Sequence, residues 1–426
     1  MSENMVNIIE LDPQPAKQPQ RPKFTTNLTE KILSVAIFPI AFLYLSFMYA
    51  MRTEQQVYFG VFAVLLLIVG EIMFWNIKRS WESIVFLVLT LLCLAPSVFP
   101  FGNVWETGAC MFFTHLFAVY WLMCRSGKLA EDKTSHLFLW DGITGFFVMP
   151  FKNFPLVFKT IASIFNNKKK GSAKKFWIVV FALVAGLILF SIALSFLKNS
   201  DENYKQLMDT IGDFFKIDLD FDLFFKLFFT PLCAMYLYGL LGGCFRETKP
   251  QVQHRGDNIK FVISLLAKVP NLVWIILIGL FSIFYIMYFV MQGSYLFGAF
   301  GFVLPQEFTY SEYARKGFSE MCSVMIVNFI VLWLAIRTSD KISLGIKVAC
   351  TALTAESILF SVIAFLKLYM YINAYGFTPL RVQSMWLVAV LFYACICVLL
   401  SMLSGKKTAR AWFIGSAAAL AVTCMI

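Results

Sequence analysis

The stretch Thr309-Tyr310-Ser311-Glu312-Tyr313-Ala314-Arg315-Lys316-Gly317-Phe318-Ser319-Glu320 leads straight into Met321-Cys322-Ser323-Val324-Met325-Ile326-Val327-Asn328-Phe329-Ile330-Val331-Leu332-Trp333-Leu334-Ala335-Ile336, and Arg337 closes the run. Dense polar chemistry thus borders an apolar stretch free of charge. About 20 predominantly apolar residues cross the hydrocarbon core of a bilayer. Residues 318–336 therefore read as a transmembrane helix, and the polar stretch reads as its outer mouth. This reading decides the fold, because the same alternation of apolar run and polar punctuation recurs along the chain.

Composition agrees. The chain is 59% hydrophobic and only 14% charged, with a mean hydropathy of +0.74, whereas soluble domains are about a quarter charged. An all-α polytopic membrane protein follows, with about eleven spans by the length that crosses a bilayer. These fall near 32–51, 57–76, 83–99, 107–124, 176–196, 223–244, 264–290, 318–336, 346–369, 384–404 and 411–426, the last barely long enough. Residues 1–30, rich in Pro and Gln, read as a disordered cytoplasmic tail, and residues 31–426 as one helical transmembrane domain. The polar N-terminus is no cleavable signal peptide.

Net charge is +11, and its distribution is topological. About three in four of the 36 Lys and Arg fall in loops on one predicted side, as the positive-inside rule requires. That places the N-terminus inside and excludes nucleic acid as the reason for the charge. The longest inner segment, 125–175, carries Lys168-Lys169-Lys170, Lys174 and Lys175. Its aromatic part, 137–165, is interrupted by Asp141, Gly142, Gly145, Pro150, Lys152 and Pro155. It is too broken to span and reads as interfacial amphipathic helix on the inner leaflet, where anionic lipids would meet the basic run. The predicted outer loop 197–222 is acidic. Its Asp218, Asp220 and Asp222 resemble the start of a calcium loop, but the sixth position lacks Gly and Phe229 stands where Glu is needed.

The ten Cys sit in or beside apolar runs and contain no CxxC, and the three His are scattered. Neither a disulfide framework nor a metal centre is expected. No Ser/His/Asp constellation, phosphate-binding loop or dinucleotide fingerprint is present. No cofactor is expected, and the balance leans away from an enzyme.

Candidate site residues come from two outer loops. Thr309 and Glu312 have the spacing of a capping box, and Glu312, Lys316 and Glu320 recur on one helical face. Tyr310, Glu312, Tyr313 and Arg315, with Tyr375 and Arg381 from the next outer loop, offer hydroxyls, stacking faces and planar guanidinium groups to a small anionic ligand or lipid head group. Glu71 and Glu356 lie inside predicted spans, where ionisable groups are expensive and usually functional. Gly239 and Gly243 form a GxxxG pair that permits close helix approach.

The blocks Tyr310-Ser311-Glu312-Tyr313-Ala314-Arg315 and Ala374-Tyr375-Gly376-Phe377-Thr378-Pro379-Leu380-Arg381 resemble the paired motifs of the polytopic family filed as domain of unknown function 4173, over residues 175–426. That resemblance implies a multi-pass protein of the bacterial cell membrane and supplies no activity. Three functions stay open: transport or ligand binding through an outer-facing polar pocket, an envelope sensor or assembly partner, and a membrane enzyme acting on a lipid-linked anionic substrate.

Overall fold

The structure is a computed structural model that describes residues 24–49, 57–99, 104–165, 221–266, 268–291, 309–339 and 341–425, with positions 186, 293, 298, 300, 301 and 304 besides. Among these residues the helices are α1 (Leu28–Tyr49), α2 (Val57–Met73), α3 (Trp81–Val98), α4 (Val104–Ser126), α5 (Phe138–Ile143), α6 (Met149–Lys152), α7 (Leu156–Phe165), α8 (Phe221–Arg246), α9 (Lys249–Ser264), α10 (Asn271–Met291), α11 (Tyr310–Thr338), α12 (Leu344–Tyr375), α13 (Pro379–Ser404) and α14 (Ala409–Cys424). A π-helical turn, Thr144–Val148, joins α5 to α6.

Eight of these helices are long and apolar enough to cross a membrane: α1, α3, α4, α8, α10, α11, α12 and α13. The expected count was about eleven. Two of the missing spans are present as shorter apolar helices, α2 and α14. At 1.5 Å per residue they reach only about 25 Å, short of a hydrocarbon core of about 30 Å. The predicted span 176–196, the basic run 168–175 and nearly all of the acidic loop 197–222 lie outside the described residues, as does the N-terminal tail up to residue 23.

Hydrophobic packing divides the helices. One large core joins α1, α2, α3, α4, α8 and α14, with Phe59, Phe74, Phe86, Trp121 and Tyr238 fully buried in it. Separate cores run along α10, α11, α12 and α13. The hairpin of α13 and α14 connects the two sets, since α14 packs on both α13 and α3.

The helix ends alternate. Glu30 at the start of α1 pairs with Arg246 at the end of α8, and Glu82 at the start of α3 pairs with Arg410 at the start of α14. In the second set, Trp274 near the start of α10 donates to Thr338 at the end of α11, and Asn271 donates to Ser343 ahead of α12. These contacts gather at what we term the basic end. The opposite end carries Tyr310, Tyr371 and Tyr375 and is termed the tyrosine end.

Three boundary expectations need correction. The predicted inner loop after Arg246 is largely the helix α9, started by Thr248 and Gln251 in a capping box. The seventh span, drawn from about 264 with its start expected near Pro270, has its helix begin at Asn271. The ninth continues to Tyr375, well past 369, until Gly376 adopts φ 78° and ends it.

The segment 137–165 is helical but is not a loose surface layer. Met149, Leu156 and Val157 are buried against α8. The GxxxG pair makes this possible: a Cβ on Gly239 would lie 2.5 Å from the Pro150 carbonyl oxygen, and one on Gly243 would lie 2.5 Å from Asn153 Nδ2. The close approach predicted for these glycines therefore serves the broken segment α5–α7.

Candidate functional site

Two polar groupings stand out in an otherwise apolar bundle. The first closes the basic end. Arg125, only 2% exposed, donates from Nε to Glu71 (3.0 Å) and from a terminal nitrogen to the Ile77 carbonyl (2.8 Å). Arg79, half exposed, reaches the same Glu71 oxygen at 2.9 Å. Glu82 accepts from the Thr134 backbone and hydroxyl and pairs with Arg410 at 2.5 Å. Arg255 grips Glu247 with bonds of 2.9 and 2.8 Å and donates to the Lys128 carbonyl, while Lys128 Nζ donates to the Glu247 carbonyl. Each glutamate thus ties together segments far apart in sequence.

Glu71 was expected deep in a span, and that placement is corrected. Helix α2 ends at Met73, so Glu71 lies in its last turn and is neutralised by two arginines. Nearby, Asp141 is fully buried and accepts from the Ala130 N–H. Burial pushes its carboxyl up from 3.8 to about 7. Burial likewise lowers His136, with Arg337 from the end of α11 and Lys407 adding repulsion. The two helix sets therefore present their charges to one another here.

The second grouping is a polar face shared by α10, α11 and α12. Glu356, half-buried in α12, accepts from Ser282 of α10 at 3.1 Å. Beside it, Tyr285 donates to Asn328 Oδ1 (2.6 Å), and Asn328 Nδ2 donates to Ser357 (2.9 Å). Asn328 and Ser357 are fully buried. Further along α12 lies Lys367, also fully buried. Its ammonium sits 4.2 Å from the centre of the Tyr313 ring, and the Glu320 carboxylate acts on it electrostatically. Gly317 makes room, since a Cβ there would meet the Lys367 side chain at 2.5 Å. Glu356 and Lys367 are about 16 Å apart along the helix axis. Between them stands an apolar layer of Phe360, Met321 and Met325, all buried.

The outer-loop candidates fare unequally. Glu312 closes the predicted capping box, accepting from the Thr309 N–H (3.1 Å) and hydroxyl (2.7 Å). Its carboxylate serves the helix start. Arg381 donates to the carbonyls of Tyr375 and Gly376, reaches the Tyr371 hydroxyl and stacks over the Tyr371 ring at 4.2 Å. It satisfies the last carbonyls of α12. Tyr313 is buried on Lys367 and packs with Met370. Tyr310, Arg315 and Tyr375 are exposed. The two loops share one end of the bundle, and Tyr313 and Lys367 form the junction beneath them.

Sequence reasoning did not single out Lys367, which falls in the last turn of a span ended at 369 but well inside a helix that runs to Tyr375. It also missed Arg125, placed just beyond a predicted span. None of the ten cysteines forms a disulfide, and eight are buried. His115 packs between Tyr44 and Phe59, its Nδ1 donating to the Met111 carbonyl. Among the described residues no group of His, Cys, Asp or Glu is placed to hold a metal ion.

These features define a multi-pass helical membrane protein with ionisable residues inside its bundle. The family model described as "Domain of unknown function (DUF4153)" matches residues 86–426, and the chain belongs to that family. The number differs from the 4173 of the family that the tyrosine and arginine motifs resemble, and the match starts earlier, within α3. No curated protein and no solved structure is similar enough to match.

Proposed function

We propose that the protein carries or binds a small anionic solute, along the polar face shared by α10, α11 and α12 and entered from the tyrosine end. The observation that carries this reading is Lys367: a cation held at zero exposure inside a helix bundle, over Tyr313 and beneath the exposed Arg315 and Tyr375. Ionisable residues at membrane depth are costly and mark substrate or ion pathways. Glu356, Ser282, Asn328, Tyr285 and Ser357 supply a second polar station deeper in the bundle. The Phe360 layer between the stations has the character of a closed apolar gate, the kind that passes solute only when wetted. The concentration of Arg and Lys at the opposite end supports an inside basic end and an inside N-terminus, and we place the protein in a bacterial cell membrane.

The test uses the full chain in liposomes with labelled phosphate and short-chain carboxylates as probes. Wild type takes up at least one probe, and Lys367→Met abolishes that uptake while Lys406→Gln at the far end does not. Uptake by Lys367→Met at the wild-type rate would remove the proposal. So would a wild-type chain that neither transports any probe nor shifts its melting point in their presence.

A further inference from the structure

A cavity of about 380 Å³ opens at the basic end between the broken segment and α9. It is independent of the polar face in α10–α12. One wall is apolar, formed by Trp140, Val148 and Met149, and the rim carries Lys152 from the same segment and His254 and Arg255 from α9. Arg255 is fixed in place by its two bonds to Glu247, and that pair is neutral, so Lys152 gives the rim its positive excess and the His254 imidazole stands beside it as a polar group. Lys152 and His254 are both exposed, and the only bond described for His254 is to the neighbouring Asn258 side chain.

The apolar wall does not stop at the mouth. Trp140 and Val148 remain about half exposed, and Phe147 and Phe151 continue the surface at 59% and 58% exposure. Across the mouth, α9 adds Val262, and Leu265 just after its end continues the surface, exposed at 55% and 63%. A soluble surface rarely presents so continuous an apolar strip. Here it leads from the side of the bundle to a rim of basic groups at the ends of the membrane-crossing helices.

A phospholipid matches this pattern in order: acyl chain, then negative head group. We infer that the cavity binds one anionic phospholipid, with its phosphate against Lys152 and His254 and an acyl chain laid along Val148, Phe147 and Phe151. A free phosphate would use the rim and leave the apolar wall uncovered. A zwitterionic lipid would cover the wall but gain less from the rim.

The experiment is native mass spectrometry of the full chain released from detergent, titrated with dioleoylphosphatidylglycerol or dioleoylphosphatidylcholine. One phosphatidylglycerol is retained per chain in preference to phosphatidylcholine, and excess inorganic phosphate does not displace it. The double variant Lys152→Gln/His254→Gln weakens retention by roughly tenfold, as expected for loss of a lysine charge and an imidazole N–H beside a head group. The double variant Lys406→Gln/Lys407→Gln, at the same end but away from the cavity, retains the lipid as wild type does. Equal retention of the two lipids overturns the assignment, as does displacement by phosphate or equal weakening by both double variants. Both substituted positions in the cavity rim are exposed, so folding is not at stake.

Discussion

At the scale of single residues, Arg125 and Arg79 share one carboxylate oxygen but differ in setting. Arg125 is 2% exposed and Arg79 is 53% exposed. Removing a buried partner strands its neighbours, whereas an exposed pair contributes little. Arg125→Ala should therefore cost on the order of 3 kcal/mol, and Arg79→Ala under about 1 kcal/mol. The eight buried thiols provide the measurement, because a thiol-reactive dye reports their exposure on heating in detergent. Equal melting shifts for the two variants would contradict the burial argument.

Asp141 gives a second residue-scale prediction, with a sign. Its carboxyl is raised from 3.8 to about 7 by burial, so the fold favours the protonated form. This group imposes no cost below its unfolded value. Stability is then lost progressively as pH rises from about 4 to about 7, and the loss is constant above that. Asp141→Asn keeps an acceptor for the Ala130 N–H and cannot ionise. The melting point of the wild type should fall relative to that variant across this window, and parallel curves would contradict the assignment. None of these roles was legible beforehand. Arg125 meets Glu71 and Asp141 meets Ala130 only after separate segments pack, and a span drawn from hydropathy alone ended at residue 369 and so put Lys367 in its last turn.

At the scale of elements, the glycines of α8 and α10 contrast. A Cβ at Gly239 meets a backbone carbonyl oxygen at 2.5 Å, one at Gly243 meets the end of the Asn153 side chain, and one at Gly279 meets nothing within 4 Å. Backbone cannot step aside as a side chain can. Gly239→Ala should destabilise by about 1–3 kcal/mol, Gly243→Ala by less, and Gly279→Ala should fall within about 0.5 kcal/mol of wild type. The same dye assay ranks them, and a Gly279 variant as damaging as Gly239 would refute the packing account. The start of α11 makes a parallel case. Thr309→Ala removes one half of the capping box and should raise hydrogen exchange at the Glu312 and Tyr313 amides, while Glu312→Gln keeps an acceptor and should not. This cap was legible from spacing, because it depends on residues three apart. The helical nature of α9 was not, since its polar composition masks a helix begun by Thr248 and Gln251.

At the scale of the whole molecule, the apolar runs and their punctuation located every described membrane-length helix, because burial in lipid requires a helix that satisfies its own backbone. Hydropathy marked the last run as barely long enough but did not distinguish α2 from the longer helices, nor foresee that α14 returns to α3 through Arg410 and Glu82. The tyrosine and arginine motifs lie together at the end of the bundle from which the proposed path is entered. Their side chains largely cap α11 and α12, and the buried Lys367 beneath them carries the functional reading. The central claim is that water and solute reach this polar face when the Phe360 layer opens. Cysteine accessibility tests it most directly, in a chain whose native cysteines are replaced by alanine. Ser282→Cys and Asn328→Cys, on the polar face, should react with a charged, membrane-impermeant thiol reagent. Ile283→Cys and Ile330→Cys, on exposed apolar positions of the same helices, should stay unreacted in lipid. Reaction at the lipid-facing positions with none at Ser282 and Asn328 would contradict the account.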